Sequence, residues 1–254
     1  MRSKLVAIAF GIAGLLAVLV GAARAEDELS MAGDYDPWSG FNERMFTFNH
    51  AVLDRFVVKP AATGWDKVCP DVAKRGVGRA IDNLKMPRRL VNNLLQGRVV
   101  DAGAEVGRFL VNTTAGVGGF VDVASRLHLG EREADMGETL GVWGVGDGPY
   151  LVLPFLAPLT VRDGVGRAVD AVLDPLWLVP FFGGTIMNLV DTVNERSLHL
   201  RLFAEVEESS LDLYSAVRNG YLQRRRQAIA ERRWHVTPVA WLLPRASDAK
   251  GKDA

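Results

Sequence analysis

Between residues 41 and 56 the apolar side chains Phe41, Met45, Phe48, Val52 and Phe56 return every three or four positions. That is the spacing of one helix face, and Glu43, Arg44, Asp54 and Arg55 fall mostly off it. Asp36-Pro37 supplies the start, because proline at the first helical position gives up an N–H that has no partner there. A helix is therefore predicted to about Val58, ended by Lys59-Pro60. Pro70 and Pro87 open two further short helices, the second stopping at Gly97 as a C-terminal cap, and another covers about 100–115. Thr160-Val161-Arg162-Asp163 fits a capping box that starts a helix ending before Pro175. Ile186, Leu189, Val190, Val193, Leu200 and Phe203 predict one amphipathic helix, and Ser209 with Asp212 a cap for another carrying Leu213, Tyr214, Val217 and Tyr221. Between these regular segments, the many glycines of 116–160 predict loops and short helices, with 150–155 the one good extended stretch. Strand alternation is scarce and no repeat of 20–50 residues is present, so the pattern predicts an all-α fold in one domain.

Composition changes the picture mainly at the N-terminus. Arg2 and Lys4 precede an uncharged run over 5–23, and Ala23-Arg24-Ala25 has the small-x-small form of a signal peptidase site. Residues 1–25 thus read as a secretory signal peptide, with an uncleaved anchor as the alternative, since the run approaches bilayer length. Either way the remainder crosses a membrane. The chain then divides into a flexible segment 26–35, a helical domain 36–235 and a disordered tail 236–254. No later segment is a clean membrane span; 149–159 is too short and broken by Pro154 and Pro158. With 48% hydrophobic and 24% charged residues the chain buries a core. Its single cysteine, Cys69, excludes an internal disulfide framework, and 30 basic against 30 acidic residues argue against a nucleic-acid partner.

Candidate chemistry is sparse. His50, His128, His199 and His235 are widely separated, with no H-E-x-x-H pair, and no serine sits in a G-x-S-x-G elbow, so neither a metal site nor catalytic residues are predicted. Gly116-Val117-Gly118-Gly119 lacks the third glycine of a dinucleotide fingerprint, and no cofactor is expected. Gly103 and Gly107 have the spacing that lets another helix approach. Phe46 stands off the main stripe and widens the apolar face of the first helix, which suits either a buried core helix or one lying in a bilayer interface. Tyr150, Phe155, Trp177, Phe181 and Phe182 suit a core or a membrane interface equally. Arg218, Arg224, Arg225, Arg226, Arg232 and Arg233, with only Glu231 nearby, form a solvated face or a surface for phosphate head groups or an acidic partner.

Specific strings then carry a resemblance. Residues 36–46 (DPWSGFNERMF), 92–97 (NNLLQG), 108–116 (RFLVNTTAG), 137–146 (GETLGVWGVG), 148–154 (GPYLVLP) and 161–164 (VRDG) resemble, in that order, the MlaA (VacJ) family. Tyr214 and 221–225 (YLQRR) resemble its C-terminal helix, so the likeness runs over roughly residues 34–226. The resemblance implies a helical, ring-like body in the inner leaflet of the Gram-negative outer membrane, with a polar channel through its middle. It implies that glycerophospholipids misplaced in the outer leaflet pass through to a soluble periplasmic carrier of the Mla pathway, and that the ring associates with an outer-membrane porin trimer. The resemblance thus implies transport, with no bond made or broken, and not enzymology; the alternatives are a phospholipid-acting hydrolase and a porin-organising scaffold. Family members commonly carry a lipidated cysteine directly after the signal, whereas here the cysteine is Cys69, so the expected hold on the periplasmic leaflet is amphipathic helices and partners. Under this resemblance Asn92, Asn93, Arg108, Asn112, Arg162 and Asp163 are candidates for channel lining or gate, and Phe41, Met45 and Phe48 for a lipid-facing belt. Helix capping and backbone hydrogen bonding are the other roles open to these asparagines and to Arg162 and Asp163.

Overall fold

The first helix, α1 (Ser39–Thr47), starts beneath Asp36, whose carboxylate accepts the Trp38 N–H. This computed structural model describes residues 36–174 and 183–236, with the side chains of 183–185 and 234–236 left aside; the expected signal peptide, the 26–35 segment, Trp177, Phe181, Phe182 and the tail from 237 onward lie outside them. Helix α1 runs into an 11-residue π-helical stretch (Phe48–Val58) and then into α2 (Lys59–Val68). Lys59-Pro60 therefore does not end the helix. Pro60 falls in the first turn of α2, where the ladder passes from wide to ordinary spacing and a missing N–H is tolerated. Next come α3 (Asp71–Leu84), capped by Pro70, α4 (Met86–Leu95), begun by Pro87 and followed by Gly97 at φ +73°, α5 (Val99–Thr114) and α6 (Val123–Arg126). Helix α7 (Met136–Val142) is capped by the Asp135 carboxylate, which accepts the Glu138 N–H at 2.8 Å. Strands β1 (Tyr150–Leu151) and β2 (Leu159–Thr160) pair antiparallel, Tyr150 opposite Thr160, and the Thr160 hydroxyl caps α8 (Val161–Leu173). The stripe from Ile186 to Phe203 is two helices, α9 (Gly183–Leu198) and α10 (Leu200–Ser209), broken at His199. The last, α11 (Leu213–Val236), takes its cap from Asp212, which accepts the Ser215 N–H, and not from Ser209.

These helices close a circuit. The π-helical stretch and α2 pack on α9, α9 on α3, α3 on α4, α4 on α7, and α7 on α11. The start of α11 returns to the N-terminus, where the Tyr214 hydroxyl donates to Asp36 and its ring meets Phe46 edge-on. Helix α8 lies inside against α7, and Met136, Leu140, Val145, Val165, Val169 and Leu173 form a small apolar core between them. The two helices touch backbone to backbone: a Cβ on Gly166 would sit 2.3 Å from Gly137 N. No comparable approach occurs at Gly103, whose Cβ position is open, and at Gly107 only Leu129 comes near, at 3.8 Å.

The polarity of the body is inverted. Among the described residues buried polar and charged side chains outnumber buried hydrophobic ones. Lys74 (1% exposed) pairs with Asp66 and Asp71; Glu105 (0%) accepts from Arg89 Nε at 2.6 Å and the Arg132 N–H at 2.7 Å. Phe56, Val57, Val68, Val72, Val99, Val100 and Leu110 point outward. Ile186 and Val190, on the first half of α9, do the same, while its second half buries Asn194, Arg196 and Ser197. No described helix is long and apolar enough to cross a membrane.

Candidate functional site

Inside the circuit is a cavity of about 900 Å³, walled by α4, the approach to α7, α8, α9, α11 and the loop following β1. Its centre is Arg225. This guanidinium donates to both oxygens of Asp135 (2.7 and 2.9 Å), to both of Asp163 (3.0 and 2.9 Å) and to Glu138 (3.2 Å). Asp163 also accepts from Arg162 (3.1 and 3.0 Å) and from the Tyr221 hydroxyl. Burial alone would push the Asp163 carboxyl up; Arg162, Arg225 and Tyr221 outweigh it and hold it below the usual carboxylate value. Asp135 is held down in the same way, chiefly by Arg225.

Glu138 behaves oppositely. Burial, and then the Asp135 charge, push its carboxyl up to about 7 against the pull of Arg232 and Arg225. A folded value above the unfolded one means that the folded chain binds the extra proton, so this group's contribution to stability declines as pH rises from about 4.5 to about 7, by roughly 3 kcal/mol. Glu138→Gln is expected to abolish that decline, read as the difference in thermal midpoint between wild type and variant at about pH 5 and about pH 7.5. A difference that does not change with pH would refute it.

Two neighbouring spaces share walls with this cavity. A polar recess of about 390 Å³, lined by Asn93, Arg98, Glu131, Arg132 and Arg232, shares Glu133, Glu138 and Ala228 with it. An apolar groove of about 720 Å³ between the π-helical stretch, α9, α10 and α11 shares Phe155, Leu156, Ala157 and Thr192. The loop after β1 is thus a partition between charged and apolar space. Side-chain clasps fix it. Asn42, fully buried on α1, donates to Tyr150 O and accepts from the Val152 N–H, both at 2.9 Å. Seven residues later, Asn49 donates to Leu153 O at 2.8 Å and accepts from the Phe155 N–H at 3.0 Å. Arg167 donates to the Ala157 and Pro158 carbonyls. Phe155 itself sits at φ +65°, a conformation costly to a side-chain-bearing residue and held by these bonds and by its edge contact with Phe48.

The sequence-predicted residues distribute over these features. Asp163 lines the cavity, and Arg162 stands behind it, bonded to Asp163 and Asp147. Asn92 lies behind the wall, donating to Asp170 at 2.9 Å and accepting from Thr139; Asn93 lines the polar recess and donates to the Arg89 and Arg132 carbonyls. Arg108 and Asn112 sit apart from the cavity and brace the loop beyond α5, Arg108 on Ser125, Leu129 O and Asp122, Asn112 on Asp122 and the Ala124 N–H. Phe41 is exposed, whereas Met45 and Phe48 are half-buried. Arg225 stands in the sequence only as one of a run of arginines, and Asn42 and Asn49 carry no expectation of their own. Their signal is periodicity in polar residues: Arg218, Tyr221, Arg225 and Arg232 share one face of α11, and Asn42 and Asn49 lie two turns apart on one face of the first helix.

Fold and cavity together define an all-α ring of inverted polarity, charged within and apolar without. The MlaA lipoprotein family model matches residues 34–228. The protein named "Intermembrane phospholipid transport system lipoprotein MlaA" is 36% identical in Shigella flexneri and 35% identical in Escherichia coli K12, each over 229 residues and 88% of both chains. Its namesake in Haemophilus influenzae is 34% identical over 81% of this chain and 83% of its own. A solved structure reported as "Structural basis for maintenance of bacterial outer membrane lipid asymmetry" superposes with a TM-score of 0.70 at 33% identity, covering 77% of this chain and 99% of that one. The chain belongs to the MlaA family.

Proposed function

We propose that this chain is an intermembrane phospholipid transporter of the outer membrane, conducting phospholipids misplaced in the outer leaflet towards the periplasm. The observation that carries this reading is the inverted polarity of a closed ring. An apolar exterior with no spanning helix among the described residues suits a body seated in one leaflet, and a charged interior lowers the cost of carrying a zwitterionic or anionic head group at bilayer depth. Head groups traverse the central cavity and the polar recess, while acyl chains follow the apolar groove across the partition at Phe155 and Leu156. Asp163 lines that route, Asn92 and Arg162 hold its wall, and Asn93 lines its polar end. Arg108 and Asn112 support the loop leading to α7. Phe41 heads the lipid-facing belt, with Met45 and Phe48 turned partly inward. Conduction is passive, so direction is imposed by the periplasmic carrier that accepts the lipid, and a porin trimer holds the ring in place. The relatives are named lipoproteins; in this sequence the cysteine is Cys69, at the end of α2, and the apolar exterior supplies the hold on the periplasmic leaflet.

Outer-leaflet phospholipid is expected to rise in cells lacking the chain and to fall again with wild type. Thr192→Trp, which adds bulk where cavity and groove meet, is expected to leave it high at normal abundance. An unchanged outer leaflet on deletion would sink the transport reading. Full restoration by the blocked variant would replace it with a porin-organising scaffold.

A further inference from the structure

The arginines of the central cavity are not equivalent. Arg225 is saturated by Asp135, Asp163 and Glu138, and Arg167 is spent on two carbonyls of the partition loop. The side chain of Arg88, on the first turn of α4, makes no hydrogen bond or ion pair among the described residues; its charge reaches Asp170, and its Nε is buried without a hydrogen-bond partner. Arg224, on α11, lines the same cavity and likewise has none. Acids line the cavity too, Glu133 and Asp174 among them, and Arg88 acts on Asp170 through its charge. Asp163 and Asp135 are occupied by Arg225, and Asp170 accepts from the Met136 N–H and from Asn92 Nδ2, both at 2.9 Å. A buried guanidinium N–H left unbonded costs stability, and it persists where something absent from the protein completes it.

We infer that Arg88, with Arg224 from the facing helix, forms a binding subsite for the phosphodiester of a glycerophospholipid lodged in the cavity. This rests on the transport reading above and deepens it by naming the group recognised. A guanidinium meets a phosphate through two parallel N–H···O bonds, which an ammonium or amide does not reproduce. The cavity adjoins the apolar groove at Phe155, Leu156, Ala157 and Thr192, so one molecule places its phosphate at Arg88 and an acyl chain across the partition. That continuity selects a lipid phosphate over a free one.

The test uses the purified full chain in detergent, with a fluorescent phosphatidylglycerol as probe, and with diacylglycerol or inorganic phosphate as competitor. Arg88→Gln is expected to weaken phosphatidylglycerol binding by roughly tenfold to a hundredfold, with Arg88→Lys between the two. Diacylglycerol, which uses the groove alone, is expected to bind wild type and variant equally. Because the Arg88 side chain makes no hydrogen bond among the described residues and acts on Asp170 through its charge alone, Arg88→Gln is expected to keep a thermal midpoint close to wild type; Arg224→Gln, an exposed position, gives a second variant with intact folding. Unchanged phosphatidylglycerol affinity in both variants would overturn the subsite while leaving transport standing. Displacement of the probe by inorganic phosphate at lipid-like concentration would assign the site to a free anion and also overturn it. Failure of the transport reading shows separately, as an outer leaflet indifferent to deletion of the chain.

Discussion

Gly166→Ala is expected to destabilise the ring by about 3 kcal/mol or more, the upper end of what overpacking costs. The new Cβ would meet Gly137 N at 2.3 Å, Gly137 Cα at 2.7 Å and the Met136 carbonyl carbon at 3.0 Å. All three belong to backbone, so no side chain can turn aside, and α7 must separate from α8. That separation pulls Asp135 and Glu138 on one helix from Asp163 on the other, and with them the three acids gathered on Arg225. Gly103→Ala is the matched control: a Cβ there meets nothing within 4 Å inside α5, so the change is expected to stabilise by about 0.5–1 kcal/mol through the loss of glycine's extra unfolded-state freedom. Denaturant midpoints in detergent give both values. A Gly166→Ala chain as stable as wild type would mean that the helices do not cross where described.

Arg225→Met is expected to cost roughly 3–5 kcal/mol at neutral pH, because removing one partner leaves buried carboxylates uncompensated. The loss is expected to shrink on acidification. In wild type, Asp135 and Asp163 have folded values below the unfolded one, so their contribution is present above the unfolded value and is lost as pH falls through the folded values. Without Arg225 the same carboxyls are raised by burial and mutual repulsion and are protonated more readily in the folded chain. Thermal unfolding of both chains at about pH 7 and about pH 4 separates this from a packing defect. A deficit of the same size at both would show that the guanidinium is needed for its shape and not its charge.

Much of the helical layout could be read along the chain, since it is governed by local chemistry. Pro70, Pro87, Gly97 and the Thr160 cap all act within a few residues of themselves. Pro60 misled because the π-helical ladder before it alters which N–H groups are required, and His199 broke a stripe whose apolar spacing continues through it. The larger failure concerned sides. Periodicity identifies residues that share a face but carries no sign, and a stripe such as Ile186, Leu189 and Val190 is written identically whether it meets a core or a lipid tail. The six arginines of α11 were visible as a charge run, yet their partners lie 62, 87 and 90 residues away for Arg225 and 136 for Arg232. Such pairings are decided by topology, which no local window contains. Arg88 lacked even that signal; only the completed cavity distinguishes an arginine with hydrogen-bond partners from one without.

The join between Asp36 and Tyr214 spans 178 residues. Closing so long a loop costs more chain entropy than forming any of the local helices. The wall around the buried charges is thus completed by contacts between the two ends of the described chain, and its seam carries an entropic cost that no single helix of the ring bears.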